Sequence, residues 1–200
     1  MGRGTILTGP AMDSHNTFDA PNAVHPVAYS GTSENGKASF DLPPRSVAVV
    51  GASPRQGSLG AAILGNIRSG GFAGEIGIVN PRYGEIAGMK PAKHIDKLPF
   101  APELIVVTAP AREIPDIIDA AGKRGAAGAV IVSAGLGHGP GSIAEATDRA
   151  ARAHRMRLIG PNCLGIMMPR VRLNASFAAH TPRPGNLALI SQSGAIAPSL

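Results

Sequence analysis

The chain has 200 residues, a formal net charge of +6, one cysteine, no tryptophan and only 4% aromatic residues. That length suits one ordinary domain, or one domain plus a piece of another, and the lone Cys163 excludes an intrachain disulfide and fits a reducing compartment. No apolar run approaches the ~20 residues of a membrane helix, and MGRGTILTGP lacks the basic-then-apolar order of a secretory signal, so the chain reads as cytoplasmic with no membrane partner.

Residues 1–42 are rich in Gly, Pro, Ser, Asn and His without sustained strand or helix periodicity, which predicts a disordered leader ending at Pro43-Pro44. Beyond it, strands are expected at 46–51, 75–79, 103–108, 128–133 and 156–159, with helices near 58–69, 111–123 and 142–154. Runs as uniformly apolar as ELIVVTA and GAVIVSA are buried on both faces, the mark of a parallel sheet covered by helices. Over 111–123, Ile114, Ile117, Ile118 and Ala121 form one stripe at helical spacing. Pro115 is tolerated there only near the first turn, and Gly125 and Gly128 end the helix. The fold class is therefore α/β, a doubly wound parallel sheet spanning residues 43–183. NLALISQSGAIAPSL then offers a further buried strand, Leu187 to Ile190, and a helix opening, so residues 184–200 read as the beginning of a truncated second domain.

The stretch SVAVVGASPRQGSLGAAILGNI, Ser46 to Ile67, carries the chemistry. A β-branched strand stops at Gly51, and glycine recurs at Gly57 and Gly60 before a helix begins. Such a turn lets backbone approach a phosphate, and the free N–H groups of the first helical turn point at it. The interval from Gly51 to Gly57, filled by Ala52, Ser53, Pro54, Arg55 and Gln56, is wider than the G-x-G-x-x-G of nicotinamide binders. The same glycines would also serve a tight strand-to-helix turn without any ligand.

Further loops follow the other strands at the edge where such sheets bind ligands. They are Asn80-Pro81-Arg82-Tyr83, Thr108-Ala109-Pro110, Ser133-Ala134-Gly135 and Gly160-Pro161-Asn162-Cys163. Ser53, Gln56, Asn80, Ser133 and Asn162 offer neutral hydrogen bonds, and Arg55 and Arg82 offer charge to phosphate. Asn80 stands where NAD-binding folds place a ribose-binding carboxylate; with Arg82 beside it, the corner suits a phosphorylated ribose, as in NADP or coenzyme A. The basic surplus lies in residues 46–200, which hold sixteen Lys/Arg against nine Asp/Glu. It is scattered, with few aromatics to stack bases, so nucleic acid is not expected as a partner. His138 lies on a Gly-rich loop near the candidate pocket, and no histidine pair has metal-ligand spacing with a Cys or carboxylate partner. Cys163, next to Leu164 and Ile166, reads as a buried structural thiol.

Taken together, VAVVGAS…G…G, IVNPRY, VVTAPA, VIVSAG, RLIGPNCLGI and PGNLALISQSGA resemble the nucleotide-diphosphate-forming acyl-CoA synthetases. That superfamily includes ADP-forming acetate–CoA ligase, the α-subunit of succinyl-CoA synthetase and related protein acetyltransferases. The resemblance runs from about Arg45 to Leu200. It implies a Rossmann-like domain with coenzyme A held by Gly51 to Gly57, Asn80 to Tyr83 and Ser133-Ala134, and a second, flavodoxin-like domain beginning near residue 184. It also matches Ser191, Ser193 and Gly194 to a helix N-terminus that faces a phosphohistidine. That histidine and the nucleotide-grasping domain have no counterpart here, so catalysis is expected to need a complementary ligase domain or subunit. The rival readings are a non-catalytic CoA sensor that docks on a partner and an NADP-dependent oxidoreductase.

Overall fold

The computed structural model describes residues 43–186 and 188–191. Its main sheet comprises β1 (Ser46–Val50), β2 (Glu75–Val79), β3 (Leu104–Val107), β4 (Gly128–Ile131) and β5 (Arg157–Ile159), in the order β2-β1-β3-β4-β5. All four pairings are parallel. This is a doubly wound, Rossmann-like α/β arrangement with a topological switch point between β1 and β3, where the chain departs in opposite directions along the sheet.

The alternating faces of these strands build two cores. One face (Ala48, Val50, Ile105, Val107, Ala129, Ile131) is covered by α2 (Ile114–Lys123) through Ile114, Ile118 and Ala121, and by α3 (Ile143–Ala153) through Ala151. The other face (Val47, Val49, Leu104, Val106, Val130) receives Ile63, Leu64 and Ile67 of α1 (Leu59–Ser69). Strands β1, β3 and β4 are buried along their whole length, as their unbroken apolar runs require.

Several features differ from the sequence expectation. The helix expected from 111 begins as a 3₁₀ turn at Ala111–Glu113 and becomes α-helical only at Ile114, which puts Pro115 in the first α-helical turn, where its missing N–H breaks no bond. An antiparallel hairpin of β6 (Gly165–Met168) and β7 (Leu173–Ser176) was not anticipated. It extends the cover of the α1 face with Leu173 and Ala175. Asn66 of α1 fastens it, donating its side-chain amide to the Ser176 and Ala178 carbonyls at 2.8 and 2.9 Å.

Between β2 and β3 no α-helix forms, because Gly84, Gly88, Pro91, Pro99 and Pro102 interrupt every helical stretch. The chain instead makes a turn closed by Ile86 and Met89, adds Ala92 as a rung beside β2, and passes through a 3₁₀ turn at Ile95–Lys97 whose Ile95 joins the core. Residues 188–190 form no strand, and Leu189 and Ile190 are exposed, since no described strand lies alongside to complete their hydrogen bonds. Leu187, Ser193 and Gly194 lie outside the described residues, as does the 1–42 leader. No described helix is long and apolar enough to cross a membrane.

Candidate functional site

The sheet's hydrogen-bond ladder continues past the strand ends and sets the loops side by side. Gly51 N–H donates to Val79 O at 2.9 Å, Thr108 N–H to Val50 O at 2.8 Å, Val132 N–H to Val107 O at 3.0 Å and Asn162 N–H to Ser133 O at 3.0 Å. All five loops singled out from the sequence thus converge on the C-terminal edge. Backbone approach at the switch point demands glycine: a Cβ on Gly51 (φ +92°) would stand 2.7 Å from Ala109 N, and one on Gly60 would stand 2.7 Å from Ala52 Cα.

Most small polar side chains of this rim are spent on tying loop to loop. Asn80, buried, donates to Ala52 O at 2.7 Å and accepts from Arg82 N–H at 2.9 Å. Thr108 Oγ1 donates to Val50 O, and Ser133 Oγ to Ala109 O at 2.6 Å. Ser53 Oγ donates to Ser58 Oγ, which caps α1 by accepting Ala61 N–H. Asn80, Thr108, Ser133 and Ser53 are therefore frame residues first. Ser58 was not singled out from the sequence, whereas Gly60 was, as one of the recurring glycines. The signal for Ser58 was present, a serine immediately before the helix.

What the frame leaves available is the N-terminus of α1 and a set of exposed cations. The amides of Leu59 and Gly60 have no acceptor among the described residues, and the first turn of α1 carries no carboxylate. The other two α-helices start with acids: Asp116 in α2, and in α3 Glu145, which accepts Gly141 N–H at 2.7 Å. An anion at this edge therefore finds its positive helix end at α1 alone of the three. Pro54, Arg55, Gln56, Gly57, Pro81, Arg82, Pro110, Ala134, Gly135, His138 and Asn162 are exposed, and Arg55 and Arg82 form no ion pair among the described residues. Lys93, also overlooked, folds back on the Asn80–Tyr83 loop and donates to Pro81 O and Tyr83 O at 2.9 and 3.0 Å.

Cys163, half-buried, donates its Sγ–H to Ile131 O at 3.3 Å, and burial pushes its thiol pKa up, as for a structural thiol. No group of three His, Cys, Asp or Glu side chains suited to a metal ion occurs among the described residues. An open depression of about 720 Å³, lined by residues such as Pro43, Phe72 and Arg172, lies at the opposite end of the sheet.

A glycine-rich loop, open amides at the start of α1, a neutral Asn80 after the second strand and guanidinium groups without an ion pair among the described residues suit a phosphate-bearing nucleotide in a fold of the doubly wound class. The model of the CoA binding domain family matches residues 45–169, and the chain belongs to that family, in the form carried by ADP-forming acyl-CoA synthetases; its cofactor is coenzyme A. It is 40% identical over 154 residues to the ADP-forming acetate–CoA ligase of Methanocaldococcus jannaschii, an alignment covering 76% of this chain and 22% of that protein. It is 36% identical over 160 residues to subunit alpha of ADP-forming acetate–CoA ligase I of Pyrococcus furiosus, covering 76% and 35%. Among solved structures, the dinucleotide forming acetyl-coenzyme A synthetase 1 of Ca. Korarchaeum cryptofilum, in complex with phosphate and ADP, superposes with a TM-score of 0.74 at 34% identity, covering 80% of this chain and 36% of that one. The chain thus spans between about a fifth and about a third of the curated relatives' length.

Proposed function

We propose that residues 43–183 hold coenzyme A along the C-terminal sheet edge as the cofactor-binding module of an ADP-forming acyl-CoA synthetase of the acetate–CoA ligase kind. The observation that carries this reading is the carboxylate-free start of α1 after the Gly51–Gly57 loop, with the Leu59 and Gly60 amides open beside the Ser58 cap, in a chain of the CoA-binding family. The loop's backbone and the Leu59 and Gly60 amides receive the pyrophosphate. Arg82, on the loop after β2, receives the phosphate on the adenosine ribose, since that loop is where doubly wound folds meet the ribose. Arg55 and Gln56 lie on the exposed crest of the first loop, and Thr108 to Pro110, Ser133 to Gly135 and Asn162 line the path toward the thiol end.

Coenzyme A supplies the thiol that accepts an acyl group. These residues bind and orient it, while activation of the acid belongs to other domains or to a complementary subunit, in line with the greater length of the relatives. Residues 184–200 are read as part of a flavodoxin-like unit in which Ser191, Ser193 and Gly194 would face a phosphoryl group. The lone cysteine supports a cytoplasmic location.

Calorimetry on the 200-residue chain tests the assignment. Coenzyme A is expected to bind more tightly than dephospho-CoA, NADP or NAD, and Arg82→Gln to remove the preference for the ribose phosphate. Equal or tighter NAD binding would reject the reading.

A further inference from the structure

We propose that Lys93 is a positioning residue of the coenzyme A site: it holds the backbone on both sides of Arg82 and thereby sets the preference for a ribose that carries a phosphate. The inference rests on the reading above that the adenosine end of the cofactor meets the loop after β2.

The placement of Lys93 follows from the irregular crossover. Ala92 N–H donates to Ile78 O at 2.8 Å and Asn80 N–H donates to Ala92 O at 2.9 Å, so Ala92 is an added rung on the outer side of β2. The next residue is thereby brought level with residues 81–83. Its ammonium donates to the carbonyls of Pro81 and Tyr83, the two neighbours of Arg82 in sequence. From the buried side, Asn80 Oδ1 accepts Arg82 N–H. Three hydrogen bonds thus fix the main chain around Arg82, while its side chain is exposed and without an ion pair among the described residues.

A guanidinium on a fixed base loses less freedom when it grips a phosphate than one on a mobile loop. Two of the three ammonium donors are used on the carbonyls, and the remaining donor and the charge add to the positive potential of the same corner. No carboxylate pairs with Lys93 among the described residues, so that charge is not cancelled locally.

The test is a double-mutant cycle read by calorimetry on the 200-residue chain, with coenzyme A and dephospho-CoA as the two probes. Lys93→Met is expected to lower the preference for coenzyme A by about 5- to 10-fold, with less than about a twofold change for dephospho-CoA. Lys93→Met is expected to cause no further loss of preference in an Arg82→Gln background, whereas Lys93→Arg, which keeps charge and donors, retains it. If Lys93→Met lowers the melting temperature but weakens both ligands by one factor, Lys93 is only a brace and the proposal fails. If the parent chain does not distinguish the two ligands, the reading of the ribose corner itself fails, and this proposal with it.

Discussion

The side-chain amide of Asn80 reaches across from the end of β2 and donates to the Ala52 carbonyl at 2.7 Å, joining the loop that carries Arg82 to the glycine-rich loop after β1. One buried side chain therefore fixes the distance between the two halves of the rim.

Replacing Asn80 should disturb both halves. Asn80→Ala leaves the Ala52 carbonyl without its partner and is expected to cost about 1–3 kcal/mol of stability. Asn80→Asp should be worse for coenzyme A binding, because it loses the donor and sets a carboxylate beside the phosphate-binding corner. Thermal melts and calorimetry check the pair; an Asn80→Asp chain that binds as tightly as the parent would refute the placement.

Glycines in and around α1 should respond in opposite directions. Gly65 is exposed in the helix interior, with nothing within 4 Å of an added Cβ, so Gly65→Ala should stabilise by about 0.5–1 kcal/mol. At Gly60, an added Cβ would stand 2.8 Å from Thr108 Oγ1 as well as crowding Ala52, so Gly60→Ala should destabilise by about 1–3 kcal/mol and weaken coenzyme A binding. Denaturant unfolding of the two variants gives the signs.

Loss of the Asn66 amide should loosen the hairpin selectively. In Asn66→Ala the Ser176 and Ala178 carbonyls both lose their donor, with an expected cost of about 1–3 kcal/mol. Hydrogen exchange should quicken in β6 and β7 while β1, β3 and β4 stay protected.

Acid should weaken the α2–α3 contact. Asp119 Oδ1 lies 2.8 Å from His154 Nε2 and its Oδ2 lies 2.6 Å from Lys123 Nζ; His154 first, and Lys123 next, hold its pKa below the ordinary 3.8. A carboxyl depressed in the folded state contributes stability that is present above its unfolded pKa and lost as pH falls through the folded one. Asp119→Asn should therefore be less stable than the parent at pH 7. That difference should shrink as pH falls below about 4 and be smaller in high salt, because Lys123 is exposed and Asp119 partly so. Melting curves across pH 3 to 7 read it directly.

The parallel strands, the three helices and the five rim loops were legible because each leaves a local mark. Runs such as LIVV are too apolar for a surface strand, Ser58 and Ser142 sit at helix starts, and Gly51 ends the first strand. The hairpin of β6 and β7 left no such mark. Its connection is a 3₁₀ turn at Pro169–Val171 closed by Arg172 in the left-handed region (φ 57°), a conformation that arginine does not announce. The placement of Lys93 was hidden for a related reason: its partners are main-chain carbonyls more than nine residues earlier in the chain, brought near only by the Ala92 rung.

By itself, the order of residues determined the layered α/β fold and the loops gathered at its C-terminal rim, because burial periodicity and glycine placement act over short stretches. Tertiary structure alone decided which polar groups at that rim remain available for a ligand. Asn80, Thr108 and Ser133 look like ligand-binding residues in a string of letters, yet their donors are taken by neighbouring loops, while α1 keeps an open N-terminus that α2 and α3 cover with their own acids. Hydrogen-bonding capacity belongs to the residue, but its use depends on which strands the sheet sets side by side.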